Sequence, residues 1–131
     1  MRFFLLLFST IPLAASGNEY MTLICDGTTF EHGANSIKSM YRTEKTFHLK
    51  SGRVEDLRCF HWSQELIVCG KNVLELKDSA MPYNSGPWKY IKIDRELGNI
   101  IEESGIRGND SKDKDRLAFS GTCRKLRTNK F

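Results

Sequence analysis

The sequence lacks a strong excess of charge of either sign. Its 131 residues carry 20 Lys and Arg against 16 Asp and Glu, a formal net charge of +4. Proteins that are dedicated to binding polyanions through charge are far more basic than this. The near balance excludes that class, and charge alone does not identify a partner.

The sequence also lacks the motifs of several enzyme and metal-binding classes. It has no glycine-rich phosphate-binding motif and no serine nucleophile elbow. Its three histidines, His32, His48 and His61, follow neither the H-x-x-x-H spacing nor a Cys-His zinc pattern. We therefore predict no metal site and no cofactor, and we interpret the histidines as ordinary half-buried residues.

No apolar run is long enough to span a membrane, which takes about 20 residues. The main run follows Arg2, extends from Phe3 to Phe8 and continues weakly to Leu13, before the small residues Ala14 to Gly17. This order is typical of a secretory signal peptide, which we predict over residues 1–16. The alternative, a buried helix of the mature fold, is disfavoured because no polar face interrupts the run.

Four cysteines are present in a chain whose length and composition suit one globular domain. Secretion through an oxidising compartment favours two disulfides over metal binding. A hairpin centred on Gln64 would place Cys59 opposite Cys69, close enough for a cross-strand bridge. The two other connectivities remain open on this reasoning. We predict one domain over residues 17–123 and a basic tail over residues 124–131.

The segment that follows the signal peptide begins with a predicted hairpin. Asp26-Gly27 is a turn signal because glycine tolerates positive φ. The β-prone residues on either side are Thr22 to Cys25 and Thr28 to Phe30. We therefore predict two short strands joined at Asp26-Gly27.

The same segment predicts the single helix of the domain. Thr28 and Glu31 have the spacing of a capping box. Ala34, Ile37 and Tyr41 recur at three to four residues, which would place them on one face of a helix. We expect that face to dock on a sheet.

The rest of the domain predicts an antiparallel sheet. Glu102 to Asp115, the most polar stretch, is predicted to be a long exposed loop. The fold class that follows is α+β, with one helix packed on a four- or five-stranded antiparallel sheet. The predicted strand segments are Thr46 to Leu49, a strand resuming at Val54, Leu57 to Trp62, Leu66 to Cys69, Val73 to Leu76, Tyr90 to Ile93, Leu97 to Ile101 and Arg116 to Phe119.

The order of these features resembles the fungal guanyl-specific ribonucleases, and more closely the ribonuclease-like secreted effectors of powdery mildew fungi. The shared features are the opening Cys25-Asp26-Gly27-Thr28, one helix before a sheet, the loop Tyr83 to Pro87 before a strand, and a late cysteine. The resemblance implies a ribonuclease-type fold and a disulfide between Cys25 and Cys123.

The resemblance also implies where a catalytic cleft would lie. Ribonuclease cleavage needs a carboxylate base, an imidazole acid and a cation on one sheet face. By resemblance, Glu75 falls near the base, His48 near the first histidine, Tyr90 near the arginine and Glu103 near the second histidine. The cation and the second histidine are missing, and two carboxylates would repel a phosphate. We predict a degenerate cleft at these four residues and no catalysis.

By resemblance, the chain is a virulence effector that is secreted and translocated into the host plant cell. The implied partner is a host protein, such as an intracellular immune receptor, or host RNA, and we expect a monomer without a membrane partner. The alternative is an active secreted guanyl-preferring endoribonuclease. Four aromatic residues suit base stacking but are better explained by core packing. These residues are Trp62, Trp88, Tyr83 and Tyr90.

Overall fold

The computed structural model describes residues 19–33 and 36–126, and these ranges contain ten β-strands and no helix. Within them there is accordingly no helix that could cross a membrane. The predicted signal peptide and residues 127–131 of the predicted tail lie outside the described residues, as does Ala34. The strands are β1 Tyr20–His32, β2 Ile37–Lys50, β3 Arg53–Val54, β4 Leu57–Trp62, β5 Leu66–Lys71, β6 Val73–Glu75, β7 Ala80–Pro82, β8 Gly86–Asp94, β9 Asn99–Arg107 and β10 Asp113–Lys125.

Eight of these strands form a closed antiparallel barrel in the order β1-β10-β9-β8-β5-β4-β3-β2. Neighbours in the barrel are also neighbours in the chain, with two exceptions. β5 pairs with β8, because the β6–β7 hairpin that lies between them in the chain forms a separate two-stranded sheet. β10 returns to pair with β1. The pairing of the first strand with the last closes the barrel.

The predicted α+β class is wrong, because the segment that suggested a helix forms a long β-hairpin. Strand β1 continues through Asp26 and Gly27 without turning, and the chain reverses between His32 and Ile37. Ile37 and Tyr41, which were predicted to dock on the sheet, are about half exposed, at 50% and 48%. The helical spacing was therefore coincidental, and pairing along both edges of β1 determines the conformation.

Gly27 has a role different from the predicted turn. It lies in the middle of β1 and pairs with Gly121 of β10. A Cβ atom on Gly27 would overlap the backbone carbonyl oxygen of Ser120. Glycine is needed here because two strands approach closely, and not because the backbone bends.

The predicted long loop over Glu102 to Asp115 is also wrong. Strand β9 continues to Arg107 and β10 begins at Asp113, so the connection is confined to residues 108–112. The Asp113 carboxylate accepts hydrogen bonds from Arg107 Nε at 3.1 Å and from Trp88 Nε1 at 3.2 Å. These bonds hold the start of β10 against β8 and β9.

The interior of the barrel is apolar over most of its length. Alternation along the strands directs every second side chain inward. Val68, Ala80 and Trp88 are also buried, although they lie outside the core cluster. The core cluster consists of Leu23, Cys25, Phe47, Leu49, Val54, Leu57, Ile67, Cys69, Ile91, Ile93, Ile100 and Phe119.

Both predicted disulfides are confirmed. Cys59 and Cys69 are opposite each other on β4 and β5, whose connection contains Gln64 as predicted. Cys25 and Cys123 are opposite each other on β1 and β10. The second bridge therefore joins the two strands that close the barrel.

Candidate binding site

Two of the four residues of the predicted degenerate cleft are in contact. Tyr90 on β8 is directly opposite Glu103 on β9, and its hydroxyl donates to Glu103 Oε2 at 3.0 Å. Arg116 Nη2 donates to the other oxygen of Glu103 at 3.4 Å. Burial, together with the Glu103 carboxylate, raises the pKa of Tyr90 to about 12. The hydroxyl is therefore neutral at physiological pH and bonded to Glu103.

The other two residues of that cleft lie elsewhere. His48 is an exposed residue of β2, with its Nδ1 atom 3.3 Å from the Thr22 hydroxyl. Glu75 is exposed on β6, outside the barrel. In the barrel order, β1 and β10 separate β2 from β9. The four positions do not form one cleft in this fold.

The aromatic residues considered for base stacking also have other surroundings. Trp88 is buried at 4% exposure, and Trp62 packs against the core. Tyr90 is bonded to Glu103, and Tyr83 is exposed. They do not form a continuous exposed stacking surface.

A charged cluster lies inside the barrel, where Lys45 of β2 is directly opposite Cys25 of β1. Glu102 of β9 is 7% exposed, although it carries a carboxylate. Lys45 Nζ lies 2.6 Å from Glu102 Oε1, and Lys89 Nζ lies 3.0 Å from Oε2. Two ammonium groups thus hold one buried carboxylate, which would be costly to bury without partners.

The inward direction of Glu102 follows from the alternation along β9. Ile100 points into the core, and Glu102 and Ser104 follow it at the same period of two. Lys89 is opposite Ser104 on β8, so its side chain enters the same space. The sequence pattern does not indicate this cluster, because polar inward residues interrupt the apolar alternation on which strand prediction depends.

Beside this cluster is a cavity of about 130 Å³. We call it the polar chamber and define it by Thr29, Lys45, Lys89, Glu102 and Ser104, with Leu117, Ala118 and Phe119 completing its wall. Thr29 is 4% exposed, and its hydroxyl oxygen has no hydrogen-bond partner among the described residues. Buried hydroxyl groups are normally hydrogen-bonded. The Thr29 hydroxyl is therefore available to donate or accept a hydrogen bond at the chamber.

The polar chamber opens to solvent at Lys45 and Lys89, whose side chains are partly exposed. Their side chains are 37% exposed for Lys45 and 39% for Lys89, against 8% for Glu102. Lys45 Nζ also lies 5.2 Å from the centre of the Phe119 ring, above an apolar wall. The formal charge of the chamber is +1, from two lysines and one glutamate.

Strand β2 has an unpaired edge over most of its length. β1 pairs with it from Ile37 to Lys50, whereas β3 reaches only the last two residues, Leu49 and Lys50. The His48 carbonyl points to the β3 side, because it accepts a hydrogen bond from the Glu55 N–H at 2.9 Å.

Backbone groups alternate sides along a strand, so every second residue before His48 presents its N–H and C=O on that same side. No residue within 19–33 and 36–126 pairs with these groups. We call this the open edge, and its residues are Met40, Arg42, Glu44 and Thr46.

A groove of about 850 Å³ lies between the turn joining β1 to β2 and the connection from β9 to β10. It carries both signs of charge, so it does not favour one ligand class. Among the described residues, no group of three or more His, Cys, Asp and Glu side chains is arranged to hold a metal ion. The charged residues of the groove are Lys38, Asp110, Lys112, Asp113, Lys114, Asp115 and Arg116.

In comparisons with known proteins, no protein-family model, curated protein or solved structure matches the chain.

Proposed function

We propose that the chain is a secreted, non-catalytic binding protein that engages another protein by strand addition at the open edge of β2. The observation that carries the proposal is that the backbone N–H and C=O groups of Met40, Arg42, Glu44 and Thr46 have no pairing partner among the described residues. Such a row is a template for pairing with an extended segment of another chain.

The side chains around the open edge support a protein partner. Met40, Tyr41 and Arg42 are exposed on consecutive positions of β2. Methionine, tyrosine and arginine are enriched in protein–protein interfaces, whereas lysine is depleted there. Backbone pairing would supply affinity, and these side chains would supply specificity.

Secretion and a host plant partner stay part of the proposal on the strength of the sequence features. The signal peptide pattern and the resemblance to secreted fungal effectors motivate them, and two disulfides are consistent with an oxidising route. The lack of catalysis is proposed because His48 and the Tyr90–Glu103 pair lie on strands that are not neighbours in the barrel, and Glu75 lies outside the barrel on β6.

The test uses proline to remove one backbone donor from the open edge. Arg42→Pro deletes an N–H that faces the open edge, and edge positions tolerate proline. Arg42→Ala removes the same side chain but keeps the N–H. Thr43→Pro is the folding control, because Thr43 is opposite Gly27 and its N–H faces β1.

We expect the mature protein and the Arg42→Ala variant to retain the same partner protein from nuclease-treated host plant extract. The Arg42→Pro variant should fold, as judged by its melting curve, and lose that partner. Thr43→Pro should fail to fold stably. A folded Arg42→Pro variant that keeps the partner would contradict strand addition, and a partner lost only on nuclease treatment would indicate RNA.

A further inference from the structure

We infer that the polar chamber is a binding site for a small oxyanion, such as a compact carboxylate or a phosphate. Lys45 of the chamber lies on β2 between the open-edge residues Glu44 and Thr46, but the inference does not depend on the proposed protein partner. Three observations carry it: the unpaired Thr29 hydroxyl, the excess of hydrogen-bond donors over acceptors, and the size of the cavity.

The Thr29 hydroxyl is the first observation. It is buried inside the barrel, lines the chamber and has no partner among the described residues. Leaving a buried hydroxyl unpaired costs free energy that the protein recovers when a ligand bonds to it. Valine has nearly the same shape as threonine and would have filled the position without that cost.

The balance of donors and acceptors is the second observation. Each lysine ammonium has more N–H donors than the single one it gives to Glu102. Thr29 and Ser104 can donate as well, whereas Glu102 is the one anionic acceptor lining the chamber. A ligand that is rich in acceptors and negatively charged therefore complements a chamber of formal charge +1.

The surroundings and the volume limit the ligand to a small molecule. About 130 Å³ corresponds to roughly four molecules of liquid water. The neighbouring groove past Lys89 adds Lys71 but also Asp56 and Asp115, so the positive charge is confined to the chamber. A compact anion fits this space, and a nucleic-acid strand does not.

Glu102 has a positioning role in this site. Its carboxylate holds both ammonium groups at distances of 2.6 and 3.0 Å, so they lie on opposite oxygens of one group. Without it, the two positive charges would repel each other across the chamber. A preorganised pair of ammonium groups loses little conformational freedom when an anion binds.

The experiment titrates the isotope-labelled, disulfide-intact protein with sodium phosphate and, separately, with sodium acetate. Amide chemical shifts of Thr29, Glu102 and Ser104 are followed, and sodium chloride at matched ionic strength is the control. We expect saturable shifts at these residues with at least one of the two oxyanions and none with chloride. The two arms distinguish a tetrahedral from a planar oxyanion.

Three variants locate the site. Lys89→Met should weaken anion binding by at least about tenfold, because it removes a charge-assisted hydrogen bond. Lys92→Met removes the same charge from the outer face of the same strand and should leave binding unchanged. Thr29→Val should weaken binding by about threefold to tenfold without unfolding the protein.

The inference is overturned if neither oxyanion gives saturable shifts, or if chloride reproduces them. It is also overturned if Lys92→Met weakens binding as much as Lys89→Met, because the effect would then reflect net charge alone. Should Lys89→Met fold poorly, Thr29→Val decides, since unchanged anion affinity in that variant removes the hydroxyl from the site.

Discussion

The two disulfides should differ strongly in what they contribute to stability, although their cysteines are similarly buried. Cys25–Cys123 spans 98 residues of sequence, whereas Cys59–Cys69 spans 10. Each pair combines one cysteine at 0% exposure, Cys25 or Cys69, with one that is partly buried. Replacing either pair with alanine therefore removes a comparable amount of buried sulfur.

Because the packing losses are similar, the difference between the two variants isolates loop closure. The chain-entropy relation gives about 4.7 kcal/mol for the long loop and about 2.7 kcal/mol for the short one. The long bridge also joins β1 to β10, whose pairing closes the barrel, whereas β4 and β5 are held together by a short connection. We therefore expect the Cys25→Ala/Cys123→Ala variant to be less stable than the Cys59→Ala/Cys69→Ala variant by about 2 kcal/mol.

The assay is urea unfolding of the two double variants and the unmodified protein under identical conditions, with thermal melting as a second measure. A difference of about 2 kcal/mol corresponds to roughly 10 °C in melting temperature for a domain of this size. Equal stabilities, or a larger loss from the Cys59→Ala/Cys69→Ala variant, would refute the argument that the disulfide closing the longer loop contributes more to stability.

Three further predictions concern the stability of two single variants and the lack of ribonuclease activity. Gly27→Ala should destabilise the protein by several kcal/mol in urea unfolding, because the added Cβ meets the Ser120 carbonyl oxygen. A variant as stable as the unmodified protein would contradict the close approach of β1 and β10 at this residue. A hydrogen bond from Arg107 lowers the pKa of Asp113 below its ordinary value of 3.8. The stability advantage of the unmodified protein over Asp113→Asn should be complete above that pH and disappear as the pH falls through the lowered pKa; a pH-independent difference would contradict this. Purified protein should leave guanosine-containing RNA intact in a gel assay, and Glu75→Gln should change nothing; cleavage with a bell-shaped pH profile that vanishes in Glu75→Gln would restore the ribonuclease alternative.

The sequence predicted those parts of the fold that depend on local pattern. The hairpin around Gln64 was predicted because its two strands flank a short polar connection. That symmetry placed Cys59 opposite Cys69 and permitted the disulfide that the structure contains, although two other connectivities remained open. The pair β8 and β9 was predicted because Ile91 and Ile93 alternate with polar residues before a turn. Such signals lie within about a dozen residues, so they survive without knowledge of the tertiary structure.

The wrongly predicted turn at Asp26-Gly27 is explained by pairing between strands that are distant in sequence. Asp26-Gly27 has the composition of a turn, but β10 pairs along it and holds it extended. The chain reverses between β1 and β2, and Gly33 and Ser36 beside that reversal are a turn signal that the helical interpretation overlooked. The local preference of Asp26-Gly27 for a turn is overcome because β1 pairs with β2 on one side and with β10 on the other.

The candidate site was missed for a related reason. Glu102 and Lys89 are charged residues that point into the barrel, and each satisfies the other. Sequence patterns assign charged residues to the surface, so this part of β9 was predicted to be an exposed loop. The missing information was the register that brings Lys45, Lys89 and Glu102 together, and no local pattern contains it.

The meeting of the first and last strands has a consequence for how the chain could be rearranged. Leu23 is opposite Lys125, and the Leu126 N–H donates to the Thr22 carbonyl at 2.8 Å, so both ends of the barrel's chain path reach the same rim. A short linker between those ends, with new ends cut within residues 108–112, would preserve every strand neighbour. This circular permutant would carry its ends on the opposite rim, at the charged groove that Asp110 and Lys112 line, where a fused reporter domain would lie beside the start of β2.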